Sequence, residues 1–375
     1  MSSPGSSLRE KFLNGALSIT LMSVISGFLL GGIILLLAGF NPLEAYGVIL
    51  KGIFSRPKYV SYVIIYSTPL IITGLSVAFA LRTGLFNIGA EGQYIMGALA
   101  AAGAGYYLEL PMVLHVLAAV AAAVLVAAFW GGLAGWFKAR FGVNEVISTI
   151  MLNWTALYIS NWAITIDSFG RQGTGKTYAI QPTAQIDILG QWKRTPEGIA
   201  FLREHPMLWD ILKSPVNLGF VFALLLAALV WYLLNKTTLG YELRAVGHNP
   251  QAAEAGGISV KRSMVISMLI AGGLAGAAGA FQVLGVSHRI ATLAIMEGYG
   301  FDGIAVSLIG NNSGPGCVFA GLLFGALKYG GSKIQDVMGA PTEVINIMIG
   351  IIIFFVAMPK LIRMILAYRT RREQS

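Results

Sequence analysis

The stretch Leu85 to Gln93, LFNIGAEGQ, sets Asn87, Glu91 and Gln93 among glycines inside an otherwise apolar segment of membrane-spanning length. An ionisable group at membrane depth is costly, so Glu91 is expected to face a bundle interior or a wet cavity. Gly84, Gly89, Gly92 and Gly97 agree with that. Broken or closely packed backbone is tolerated in a membrane only where protein or water meets its polar groups. Donors and acceptors beside Phe86 and Tyr94, whose rings offer stacking faces, are what a path for a polar, partly flat solute needs. Glu91 and Gln93 are two apart, however, and share one lumen only if the helix is broken there.

Other polar residues lie in apolar surroundings. Asn153 sits in mid-segment, where a buried amide demands partners. Asn144 and Glu145 open the same segment and suit a helix cap, the carboxylate being favoured at a helix N-terminus. Glu297, Tyr299 and Asp302 form a second cluster, followed by the break NNSGPG at 311 to 316; they fit a gate or the pinning of a half-helix. His115 and His288 stand alone, and His115 reads as packed or lipid-adjacent. No metal-ligand cluster or nucleophile–base arrangement is present, which argues against an enzyme. Cys317 is the single cysteine, so there is neither a disulfide framework nor a thiolate metal site.

Gly170 to Thr177, GRQGTGKT, matches the phosphate-cradling pattern G-x-x-x-x-G-K-[ST] literally. The chemistry of that pattern needs a strand before the loop and a helix after it. Here an apolar span precedes it and Pro182 follows where the helix would run, so nucleotide binding is rejected.

The elements that must position these residues are helices. Of 375 residues, 56% are hydrophobic and only 11% charged, against about a quarter charged in a globular domain. The chain is therefore read as an all-α, polytopic membrane protein. Spans are expected near 16–40, 59–81, 85–108, 112–137, 146–166, 216–234, 263–286, 295–310, 315–331 and 342–359, ten in all, with the eighth and ninth short enough to be half-helices. The first holds about 25 uncharged residues, longer than the core of a cleaved signal, and reads as a retained helix. Gly27 with Gly31, Gly272 with Gly276, and Gly321 with Gly325 mark small-residue packing faces.

The net charge of +9 does not point to nucleic acid, because the basic residues sit at segment ends rather than in a patch. With the N-terminus inside, Arg9, Lys11, Arg82, Lys138, Arg140, Lys236, Arg244, Lys261, Arg262, Lys360, Arg363, Arg369, Arg371 and Arg372 fall on the cytoplasmic side, as do both termini. Lys51, Arg56 and Lys58 break the rule. They follow Asn41-Pro42 and an apolar helical pattern, which predicts a short interfacial helix on the outer face. Residues 167–214 are one long polar insertion, expected outside, within a single membrane domain spanning 1–375.

The largest inner loop, 235–262, contains Asn249 as a cap, Pro250 in a first turn, helix-compatible Gln251 to Ala255, and Gly256 or Gly257 as a left-handed stop. Ala252, Ala253 and Ala255 would let this short helix enter a groove on another protein, with Glu254 pairing to a base; an ordinary connecting helix is the alternative.

Several blocks in order, GLFNIGAEGQYIMGALAA at 84–101, NEVISTIMLNW at 144–154, LRAVGHNPQAAEAGGISVKR at 243–262, GGLAGAAGA at 272–280 and GYGFDGIAVSLIGNNSGPG at 298–316, carry a resemblance. The chain resembles the permease subunits of bacterial ABC importers in the branched-chain amino acid, ribose and nucleoside group, and is most similar to the nucleoside type. The resemblance implies a type II importer-like permease in the bacterial cell membrane, forming half of a translocation path. It also implies a cytoplasmic ATP-binding subunit, a second and paralogous permease, and an external solute-binding protein. Docking on the ATPase subunit then falls to Gly247, Asn249, Ala252, Ala253, Glu254 and Gly257. The path falls to Phe86, Asn87, Glu91, Gln93, Asn153 and Asp302, whose polar groups suit ribose hydroxyls or base edges. Ribose or another simple sugar is the alternative cargo. A self-powered secondary transporter, with its ion at Glu91 or near Glu297 and Asp302, is the rival of another class.

Overall fold

In a computed structural model the described residues are 16–358. A helix occupies each of the ten expected intervals. α1 is Ala16–Leu37, α2 Pro42–Phe54, α3 Pro57–Leu81, α4 Ala90–Tyr107, α5 Met112–Phe141 and α6 Glu145–Ile164. After a hairpin of two-residue strands, β1 Gly170–Arg171 and β2 Lys176–Thr177, come α7 Pro196–Glu204 and α8 Pro206–Leu212. α9 is Gly219–Lys236, α10 Thr238–His248, α11 Pro250–Ala255 and α12 Val260–Gln282, which runs on through a π-turn, Val283–Ser287. α13 is Tyr299–Ile309, α14 Gly314–Met338 and α15 Thr342–Ala357.

Among the described residues, α3, α5, α9 and the continuous Val260–Ser287 are each long and apolar enough to cross a bilayer; Met22–Leu37 and Pro42–Phe54, bent by 116° to each other, reach that length only when taken together. Leu29 and Leu36 on α1, Leu125 and Phe129 on α5, and Leu225 and Tyr232 on α9 are exposed. Apolar faces of that extent are a liability in water and ordinary against lipid tails.

The chain divides into two compact units, one from the segments up to Ser55 and from Leu327 onward, the other Arg56–Ala326. In the first, α1 packs on α15 at Gly27 and Gly31, where an added Cβ would meet Ile352 and Met348. In the second, α3, α4, α5 and α12 form the core around Ala80, Leu85, Ala134, Met268 and Ala271, all fully buried or nearly so. The expected small-residue faces are real contacts. Gly272 and Gly276 lie against the α5 backbone at Ala127 and Ala123, and Gly321 and Gly325 against Ile71 and Ser67 of α3.

Two expectations are corrected. The ninth segment is a full helix of 25 residues rather than a half-helix, because its polar tail through Lys333 and Asp336 continues the turn, the two pairing at i,i+3. The loop 235–262 also holds more than the one expected short helix: α10 precedes α11, capped by Thr237, whose hydroxyl accepts from the Gly240 amide. The expected helix after Asn41 forms as α2, with the Asn41 side chain accepting from the Leu43 amide.

Candidate functional site

The segment joining α3 to α4, residues 82–89, is not helical, so its backbone groups need partners that a helix would have supplied. Asn153 of α6 supplies one of them and meets a free amide in the first turn of α4. Its amide nitrogen donates to the Ile88 carbonyl at 3.0 Å, and its oxygen accepts from the Gly92 amide at 2.8 Å. Asn87 and Gln93 close on each other as a reciprocal pair at 2.9 and 3.1 Å, with Ser76 as a weaker third partner. All three amides are buried.

Glu91 is fully buried in the first turn of α4. Its two oxygens accept from the amides of Gly298 at 2.8 Å and Gly300 at 2.6 Å. These amides belong to the start of α13, so the carboxylate caps a broken helix at its positive end. Gly298 holds φ +87°, and a Cβ on Gly300 would overlap the Glu91 backbone. The helix is not broken between Glu91 and Gln93, since α4 is continuous from Ala90, and the two side chains go to different partners, Glu91 to the start of α13 and Gln93 to Asn87.

An open cavity of about 350 Å³ lies above this framework in the second unit. Tyr94, Ile95 and Ala98 of α4, Ser160 of α6 and Gln282 of α12 contribute to its wall, and Glu297 opens into it. The Tyr94 phenol donates to Glu297 Oε2 at 2.9 Å. Of the expected path residues, Asn87, Glu91, Gln93 and Asn153 line none of this cavity; they hold the broken backbone together. Phe86 is half-buried beside them, and Asp302 lies in the first turn of α13, outside the lining.

One wall was not foreseeable from the sequence alone. The GRQGTGKT segment forms the β1–β2 hairpin, with Gly173 and Gly175 in left-handed conformations, rather than a strand, loop and helix. Its rejection as a nucleotide site therefore holds. The Thr177 amide donates to the Ile290 carbonyl, and the Ile290 amide to the Thr177 hydroxyl. The linker from 288 to 298 is thereby added to the hairpin edge, and Lys176 and Arg289 reach the cavity. Asn161 pins the linker further, exchanging two hydrogen bonds with the backbone of Leu293 at 2.8 and 2.9 Å. The signal for Asn161 and Ser160 was the polar stripe down α6 that begins at Asn153, since 153 and 160 share a helix face.

The insertion is tied down at several points. His115 bridges the Thr183 hydroxyl at 2.8 Å and the Ala104 carbonyl at 3.2 Å, so it is a packed, bonded residue. His288 meets Asp187 at 3.2 Å. Arg56 and the Lys58 amide both reach Asp210. Desolvation pushes the Asp210 pKa up, but the Lys58 amide and the Arg56 guanidinium outweigh it and hold the carboxyl below the usual range.

At the other end of α4, α11 has the expected build. The Asn249 side chain accepts from the amides of Gln251 and Ala252, Pro250 occupies the first turn, and Gly257 closes it at φ +85°. The Ile258 amide returns to the Ala253 carbonyl at 3.0 Å, as in a Schellman-type stop. Asn249, Ala252, Glu254 and Gly257 are exposed, whereas Ala253 is buried and faces inward. Gly247 touches the α3–α4 connection so closely that a Cβ would strike the Arg82 carbonyl. Arg82 in turn donates to the carbonyls of Asn311 and Asn312 just after α13.

Residues 59–357 match the model of a family described as branched-chain amino acid transport system / permease component. The chain is 40% identical over 350 residues to the guanosine ABC transporter permease protein NupP of Bacillus subtilis, covering 93% of this chain and 95% of that one. It is 33% identical over 349 residues to the nucleoside ABC transporter permease protein NupB of Lactococcus lactis, covering 93% and 92%. To the glucose ABC transporter permease protein TsgB13 of Haloferax volcanii it is 30% identical over 337 residues, covering 89% and 85%.

Proposed function

The chain belongs to the family of branched-chain amino acid transport system permease components, and from that premise we propose that it forms half of the path by which an ABC importer carries nucleosides. It is a multi-pass membrane permease and not an enzyme; ATP hydrolysis resides in partner subunits. The observation that carries the nucleoside reading is the 40% identity, over nearly the whole of both chains, to a permease named for guanosine.

The cavity is compatible with that cargo. At about 350 Å³ it falls within the range of small-molecule sites, roughly 300–1,000 Å³, and joins apolar walls to a few polar groups. Glu297, Tyr94 and Gln282 are hydrogen-bonding groups of its wall and are assigned to the solute, and Asn87, Glu91, Gln93, Asn153 and Asp302 to shaping the path. α11 is assigned to the ATP-binding subunit, with Asn249, Ala252, Glu254 and Gly257 outward, and Gly247 and Ala253 joining the helix to the body.

This assignment places α10–α11 and both termini in the cytoplasm and the insertion outside, facing an external solute-binding protein, all within a single membrane domain. The basic residues support it. Arg82 follows α3, Lys138 lies in the last turn of α5, Lys236 ends α9, Arg244 lies in α10, and Lys261 and Arg262 open α12; the basic residues before 16 and after 358 lie outside the described residues. A second permease, a paralogue, completes the path. Glucose is the second reading, favoured by the 30% identity to a glucose permease.

The test is uptake of labelled guanosine, adenosine and uridine by cells with and without this gene, with excess ribose or glucose as competitor and ATP or the proton gradient depleted separately. ATP-dependent nucleoside uptake that sugar does not compete with is the expected result. Unchanged nucleoside uptake with lost sugar uptake transfers the assignment to sugars.

A further inference from the structure

We infer that Glu297 is the specificity-determining acceptor of this path and that it reads a vicinal diol on the solute. The inference deepens the proposed function and rests on it. Glu297 lies in the linker before α13 and is exposed, yet it opens into the cavity rather than to a flat surface. Its Oε2 is fixed by the Tyr94 phenol at 2.9 Å, and Tyr94 is itself buried in α4 with the Tyr299 ring 5.4 Å away. Among the described residues no protein donor reaches Oε1, and neither Lys176 nor Arg289, which line the same cavity, forms an ion pair with the carboxylate.

A carboxylate held rigid on one side, with acceptor capacity on the other, is complementary to two neighbouring hydroxyl donors. An ionised carboxylate only accepts and has about four lone-pair positions, so the bond from Tyr94 leaves it able to take two more. Acidic side chains read ribose hydroxyls in this way in dinucleotide sites. The apolar walls Ile95, Ala98, Val283 and Leu293 suit a flat base or the face of a sugar ring. The diol is chosen over a base edge because proteins similar to this one are named for guanosine and for glucose. Those solutes share adjacent hydroxyls and no base.

The experiment compares uptake of guanosine, inosine and 2′,3′-dideoxyguanosine by the full importer carrying wild-type chain, Glu297→Gln, Glu297→Asp or Tyr94→Phe, each normalised to its amount in the membrane. Wild type is expected to prefer guanosine over the dideoxy analogue by about tenfold or more, since a site built for a hydroxyl rejects the analogue lacking it. Glu297→Gln should collapse that ratio severalfold by lowering guanosine uptake more than dideoxyguanosine uptake, because the amide loses one acceptor of the pair. Glu297→Asp and Tyr94→Phe should keep part of the preference. A parallel fall for both solutes means a purely structural role and overturns the inference. So does a changed guanosine-to-inosine ratio with the diol ratio intact, which marks a base-edge contact. If wild type carries ribose and no nucleoside, the nucleoside reading falls instead. The same variants with ribose against 2-deoxyribose then decide the role of Glu297.

Discussion

Glu91 shows how a residue type can be read correctly and its role still depend on what surrounds it. A carboxylate at this depth had to be enclosed, and it is; its partners are two backbone amides of α13 rather than a solute. Glu91→Ala leaves both amides unmet in a buried site, at a cost of about 2–3 kcal/mol. The expected outcome is a clearly lower unfolding temperature of the purified protein together with lost uptake; unchanged melting would show that α13 is held by something else. Asn87 and Gln93 should behave as one unit. Either single change to leucine strands the other amide and costs about 1–3 kcal/mol, while the double change costs less than the sum. A thermal-stability double-mutant cycle measures the difference, and strict additivity would refute the pair.

α11 and α13 are the elements on which motion is expected to turn. α11 is short and owes its stop to Gly257 at φ +85°. Gly257→Ala introduces strain of about 1 kcal/mol there. Glu254→Lys reverses an exposed charge without touching the fold. Both should reduce the amount of ATP-binding subunit recovered with the permease, and Glu254→Lys should do so with no loss of permease stability. Full recovery with either would remove α11 from the docking surface. α13 is clamped at both ends, by Glu91 at its start and by Arg82 just past its end, and Arg82 lies against Gly247 beside α11. Gly300→Ala forces a Cβ into the Glu91 backbone and is expected to abolish uptake while membrane insertion, read by the amount of protein in the membrane, persists.

At the scale of the molecule, two of the basic residues that run against the charge rule, Arg56 and Lys58, meet Asp210, 154 residues from Arg56 in sequence. The folded pKa of Asp210 lies below its ordinary value. Its carboxylate is therefore ionised in both states above the ordinary range, near pH 4. The stability it contributes is fully present there and is lost only as pH falls through the depressed folded value. Proteolysis of the insertion should thus be flat from neutral pH to about pH 4 and rise below it. Asp210→Asn should bring the faster cleavage to neutral pH; equal rates for wild type and variant would show that the other ties suffice.

The chain alone determined its class, the place of every long helix, the caps at Asn41, Asn144, whose side chain accepts from the Val146 amide, and Asn249, a stop at Gly256 or Gly257, and the glycine packing faces. Each depends on neighbours within a few turns, on apolar length, or on the absence of a side chain. It also marked 85–93 as the unusual segment. The tertiary structure decided what that segment touches. The partner amides of Glu91 are more than 200 residues away, and the cavity wall combines α4, α6, α12, a hairpin and a linker. Only tertiary structure turned a phosphate-loop pattern into that hairpin and brought Lys176 to the cavity. Local physics fixes which groups must be satisfied. Which distant group satisfies them is settled when the helices pack, and that choice separated the residues that hold the broken backbone from those that line the cavity.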